Sequence, residues 1–115
     1  MEDTNTISWG DFEKVELRVG TVVEVDDFLK ARNPSYKLWV DFGASIGILK
    51  SSAQITHHYS KESLLGRQVV AVVNFPKKQI ADFMSECLVT GFADADGHII
   101  LTAVEKELPN GARLM

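Results

Sequence analysis

The chain has 115 residues, 45% of them hydrophobic and 24% charged, with a formal net charge of −4 and a single cysteine. That length builds one domain, residues 1–115, around one core, and the composition excludes a disordered chain, a disulfide-stapled secreted module and a thiol-clustered zinc site. No stretch approaches the roughly 20 apolar residues of a membrane helix, and the acidic start Met1-Glu2-Asp3 lacks the basic and apolar regions of a signal peptide, so a cytoplasmic address is expected.

Ser8 is placed to cap a short helical turn over Trp9–Lys14, where Trp9, Phe12 and Val15 recur at helical spacing. The period then changes. From Val15 to Val25 the odd positions are almost all aliphatic and the even ones mostly polar, which predicts a half-buried strand with Gly20 as a bulge or barrel bend. Pro34 makes Asp26–Ser35 a loop, and Lys37–Phe42 alternates again, with Leu38, Val40 and Phe42 inward and Lys37 and Trp39 on the outer face. Gly43 turns the chain into a third strand near Ile46–Ser52, and Ser60 caps a short helix, Lys61–Leu65, that Gly66 stops. The uncharged run Val69–Val73 marks the fourth strand, Gln68–Asn74, and Cys87–Ala93 forms the fifth. Asp94–Gly97 is a turn, His98–Thr102 a short strand, and Pro109-Asn110-Gly111 a turn before a last extended stretch. Five main strands with a short helix between the third and fourth match an all-β, five-stranded Greek-key barrel of the OB-fold type. An SH3-like barrel is the alternative, although it rarely carries that helix.

Charge is distributed in blocks. Residues 1–27 hold two bases and eight acids, residues 28–81 eight bases and two acids, and residues 82–115 two bases and six acids. The basic middle coincides with loops that a barrel presents on one side, so an anionic partner is expected there despite the overall charge. Asn74-Phe75-Pro76-Lys77-Lys78, with Ser85 beyond, combines an amide, an aromatic ring and two ammonium groups between two buried strands, the chemistry that meets phosphates and unpaired bases. In the bland alternative Pro76 simply ends the strand and Phe75 packs into the barrel end. The outer face of the second and third strands adds Lys37, Trp39, Lys50 and Ser52, with Ser51 and Gln54 nearby; Trp39 serves equally as a ligand platform or as part of a subunit interface.

Other constellations read as structural. Adjacent His57 and His58 face opposite ways on an extended chain and have no acidic or thiol ligands at a familiar spacing, so no metal is expected. Asp94–Gly97 lacks the acidic ligand that ends a calcium loop. Cys87 begins a buried strand without a base partner, and Ser, His and Asp are too scattered for a triad. No catalytic residue and no cofactor is expected.

The segment Asp11–Val22, containing Glu16-Leu17-Arg18-Val19-Gly20, resembles the opening strand of the tRNA-binding OB domain appended to methionyl-tRNA synthetases and present in free-standing tRNA-binding proteins. Ala31–Leu38, Ser51–Thr56 and Val72–Ala81 are similar to the CsaA subgroup, small cytoplasmic proteins described as protein-export chaperones. The likeness runs from about Ile7 to Leu114. It implies a homodimer held by terminal extensions, residues 1–14 and 103–115, with Trp9, Phe12 and Leu114 at the interface. It also implies two partners, unfolded or exported polypeptides and the outer corner of tRNA, the latter facing Lys37, Ser52, Asn74, Lys77, Lys78 and Ser85. Asp82 stands where small or neutral residues are common, and Cys87 replaces a Met. A carboxylate beside bound phosphate lowers affinity and disturbs a peptide much less.

Overall fold

The computed structural model describes residues 5–115, and the acidic opening Met1-Glu2-Asp3 lies outside the described residues. Ser8 starts α1 (Trp9–Glu13) with a reciprocal cap: its hydroxyl accepts from the Asp11 amide at 3.0 Å while the Asp11 carboxylate accepts from the Ser8 amide at 3.1 Å. That satisfies amides which a helix start leaves unpaired. There follow β1 (Leu17–Asp27), β2 (Tyr36–Asp41), β3 (Ile48–Ala53), α2 (Lys61–Leu64), β4 (Gln68–Val72), β5 (Lys78–Ile80), β6 (Phe83–Ser85), β7 (Leu88–Val89), β8 (Gly91–Ala93) and β9 (Ile99–Leu101).

Five strands form one antiparallel sheet in the order β3-β2-β1-β4-β7. The long β1 serves two partners, pairing Leu17–Thr21 with β4 and Thr21–Asp27 with β2. The edges nearly meet: the amides of Glu86 and Cys87 both donate to the Lys50 carbonyl of β3, at 2.7 and 3.2 Å. The result is a nearly closed OB-fold barrel, with Leu64 of α2 fully buried beneath its end. Leu38, Val40 and Phe42 are at most 1% exposed, as their alternation requires.

The register of β1 breaks between Val22 and Glu24, so the bulge lies beyond Gly20. At Gly20 a Cβ would sit 2.6 Å from Val40 Cγ1 and 2.7 Å from the Phe42 ring; glycine lets those two core side chains pack against the backbone. Two other elements differ from the expectation. The fifth strand is split at Thr90, whose amide and hydroxyl both donate to the Val70 carbonyl, at 2.9 and 2.8 Å. There the chain leaves β4 and pairs β8 with β9. The loop after β4 also carries a hairpin of its own, β5–β6, which turns through Ala81-Asp82 with Ala81 at φ 52°.

The last extended stretch returns along the start of β1. Gly111 N donates to Val19 O at 2.7 Å and Leu114 N to Leu17 O at 2.9 Å. This brings the C-terminus against α1, where the Arg113 guanidinium donates to the Glu13 carbonyl at 2.7 Å.

Candidate functional site

The register of β2 on β3 sets Lys37 opposite Ser52 and Trp39 opposite Lys50. Side chains alternate faces along a strand, so these four residues stand together on the outer face. The β5–β6 hairpin folds over them and inserts Phe83, which is 6% exposed. Phe28 and Trp39 meet the Phe83 ring edge-on at centroid distances of 5.4 and 5.8 Å. Lys37 Nζ lies 5.3 Å from the Phe83 centroid and 5.1 Å from Phe28, and Lys50 Nζ lies 5.3 Å from Phe83. One buried ring therefore steadies two ammonium groups by cation–π attraction. Trp39 is half-buried and braces this ring.

Beside this row a cleft of about 510 Å³ opens between β3, the segment after β4 and the β5–β6 hairpin. It gathers Ser52, Phe75, Lys77, Lys78 and Ser85, with Ile80 and Leu88 supplying apolar wall. The Ser85 hydroxyl accepts from the Ser52 amide at 3.3 Å, which fixes the hairpin to β3. Two of the neighbouring lysines are paired with acids: Lys77 Nζ lies 3.4 Å from Glu86 and Lys30 Nζ 3.3 Å from Asp82. The hydrogen bond from Lys30, reinforced by the charges of Lys30 and Lys37, holds the Asp82 carboxyl below its ordinary range. Glu86 has a second role, accepting from the Lys50 amide at 3.0 Å. Burial pushes the Cys87 thiol up to about 12, with the Glu86 charge adding to the shift, so this cysteine is a packing residue at neutral pH.

Two expected members lie apart. The Asn74 side chain turns to the α1–β1 junction, where Oδ1 accepts from Glu16 N at 3.0 Å and Nδ2 donates to Lys14 O at 2.7 Å. Gln54 faces a separate cavity at the end of β3. The sequence reading did not single out Phe28, Lys30, Phe83 or Glu86, although they shape the face. Their signal was weak, because they sit in loops or in one very short strand and the groups they contact are distant in sequence.

At the opposite ends of the chain, Trp9, Phe12 and Leu114 line one cavity of about 210 Å³. Trp9 and Phe12 rings are 5.7 Å apart, and Trp9 remains 71% exposed. His57 and His58 are joined by His98 beside the Asp94–Gly97 turn, in which Asp94 Oδ1 accepts from the amides of Asp96 and His98, each at 2.9 Å. Among the described residues no set of three or more His, Cys, Asp or Glu side chains is placed to hold a metal ion, and no helix is long and apolar enough to cross a membrane.

Comparison with known proteins adds the following. The family described as "Putative tRNA binding domain" matches residues 17–113. A crystal structure of chaperone CsaA from Bacillus anthracis is 44% identical with a TM-score of 0.89, covering 96% of this chain and 99% of that one. That of the CsaA chaperone protein from Picrophilus torridus is 45% identical with a TM-score of 0.89, covering 96% and 100%. Methionine–tRNA ligase of Methanocaldococcus jannaschii is 31% identical over 102 residues, which are 89% of this chain and 15% of the ligase. The chain thus spans only a small part of the curated relatives it matches. Its structural neighbours are a chaperone and a tRNA-binding-type module, and neither is a catalytic domain.

Proposed function

This chain belongs to the tRNA-binding domain family, and from that premise we propose that it is a CsaA-like, non-enzymatic binding protein that holds unfolded or exported polypeptides in the cytoplasm. The observation that carries the proposal is the cleft itself. An apolar wall of Phe75, Ile80 and Leu88 under a rim of Lys77, Lys78, Ser52 and Ser85 accepts apolar side chains while the rim bonds peptide carbonyls. The likeness to two CsaA structures over nearly the whole of both chains supports this choice. Stoichiometric protein should suppress aggregation of a chemically unfolded client, and Phe75→Ser with Leu88→Ser should weaken that suppression. No effect of the unaltered protein on aggregation sinks the proposal.

A second reading is favoured by the Lys37 and Lys50 ammonium groups over Phe83: the same face binds the outer corner of tRNA. Its mark is salt dependence. Log affinity should fall with log salt by about 0.7 to 0.9 per phosphate contact, whereas an apolar peptide is nearly indifferent. Weak tRNA binding even at low salt rejects it.

We also infer a homodimer closed over the Trp9, Phe12 and Leu114 patch, since exposed aromatic and aliphatic groups on α1 and the C-terminal stretch form one apolar surface. Light scattering should give twice the chain mass, and Trp9→Glu should halve it. A monomeric mass for the unaltered chain refutes the dimer.

A further inference from the structure

All three histidines of this chain meet at one place. His57, on the segment after β3, and His98, between the Asp94–Gly97 turn and β9, lie ring on ring with centroids 3.6 Å apart and planes 6° from parallel. His58 stands perpendicular to both, its Nε2 2.7 Å from an Asp94 carboxylate oxygen. The stacked pair borders a cavity of about 510 Å³, whose wall is completed by Asn33, Gln54, Thr56 and Ile99. None of the cavity's lining residues is a lysine, arginine, aspartate or glutamate. The side chains of Asn33, Gln54 and Thr56 make no hydrogen bond to any described residue, so two amides and a hydroxyl present free donors and acceptors to its interior.

We propose that this cavity is a subsite for one unpaired nucleobase, which extends the His57/His98 stack while Asn33, Gln54 and Thr56 bond its edge. The proposal rests on the tRNA reading of the neighbouring face, which it deepens. Three observations select a base over other ligands. Parallel rings at 3.6 Å already have the spacing of a base stack, and imidazole faces are among those on which splayed RNA bases lie. Uncharged amides can donate and accept side by side, as a base edge does, whereas a phosphate or a peptide carboxylate would want the cations that this wall lacks. Location also fits. Gln54 follows directly on β3, two residues after the Ser52 that lines the first cleft, so the chain passes from one cavity to the other. A strand whose phosphates follow Lys50 and Lys37 can therefore lay its next unpaired base here.

The test follows the imidazole proton resonances of the full-length protein by NMR during addition of adenosine 5′-monophosphate, with ribose 5-phosphate as the baseless control. His57 and His98 signals should move saturably with the nucleotide and not with the control, and Gln54→Ala should weaken the effect by about 10-fold, in the range of one lost amide contact to a base edge. Absence of any shift, or equal shifts with ribose 5-phosphate, overturns the subsite. Failure of the underlying tRNA reading shows up separately, as tRNA affinity that is unchanged in Lys77→Glu/Lys78→Glu. If that variant loses tRNA yet keeps the nucleotide-dependent shifts, both proposals stand.

Discussion

Replacing Glu86 by Gln isolates the electrostatics of the proposed face. The Glu86 side chain is 17% exposed, holds Lys77 at 3.4 Å and accepts from the Lys50 amide at 3.0 Å. Glutamine keeps an oxygen for that amide, so barrel closure is retained while the charge that restrains Lys77 disappears. The Lys77 side chain is 66% exposed, and such a pair contributes no more than ~1 kcal/mol, so the melting temperature should move by only a few degrees. Removing a unit charge at about 7 Å from a bound phosphate in a water-like dielectric is worth ~0.6 kcal/mol, or roughly threefold in affinity. Freed Lys77 then adds a phosphate contact, steepening the log–log salt dependence by about 0.9. Fluorescence anisotropy of labelled tRNA, titrated between about 50 and 200 mM salt, measures both quantities. Suppression of client aggregation should not change. Unaltered affinity and slope would show that Lys77 does not meet phosphate, and weaker binding would refute the electrostatic account altogether.

Lys77→Glu with Lys78→Glu should abolish tRNA binding and leave the melting temperature nearly unchanged, since both side chains are exposed; a cooperative loss of stability by calorimetry would make them structural. Asn74→Ala removes two bonds to the α1–β1 junction and should cost ~1–2 kcal/mol, a fall of roughly 5–10 °C in melting temperature, with client suppression intact at low temperature. Asp94 is held at about 2 by its bond to His58 and by backbone amides, so its folded-state value lies below the unfolded one. The stability it contributes is present above the unfolded carboxylate range and is lost as pH falls from about 4 toward 2. Urea midpoints of Asp94→Asn should accordingly lack that part of the acid dependence, and parallel pH profiles for the two proteins would contradict it.

Regular alternation made the barrel legible. Leu38, Val40 and Phe42 show a clean two-residue period, and Ser60 with Gly66 brackets the inter-strand helix, so both appear close to where they were expected. The β5–β6 hairpin was hidden because its turn is Ala81-Asp82, without the Asn-Gly or Asp-Gly pair that announces such turns; Ala81 takes the positive φ that glycine ordinarily supplies. The split of the fifth strand was hidden for another reason. The run from Leu88 to Phe92 is uncharged, and its Thr90-Gly91 pair marks a weak point without saying which partner each half takes; only the partner strand determines where Thr90 leaves one ladder for another. At position 74, residue type alone does not reveal what the side chain pairs with in the fold. An exposed amide at position 74 has the chemistry of a ligand-binding group, yet its partners are backbone atoms of residues 14 and 16, which local sequence does not bring near.

The same distinction between residue type and pairing sets how strongly this face can attract RNA. Lys30, Lys37, Lys50, Lys77 and Lys78 give it five cations, but Lys30 and Lys77 are engaged by Asp82 and Glu86. Lys37, Lys50 and Lys78 form no ion pair among the described residues. Three available cations imply a log–log salt slope of roughly −2 to −3, where five would give about −4. A nucleic acid must compete with two carboxylates for the remaining pair, whereas an extended polypeptide entering beside Phe75, Ile80 and Leu88 draws on apolar contact and depends less on freeing those lysines. The engaged lysines thus favour polypeptide in the cleft and weaken its pull on RNA, so that RNA binding draws on Lys78 together with Lys37 and Lys50, which are held by an aromatic ring rather than by an acid.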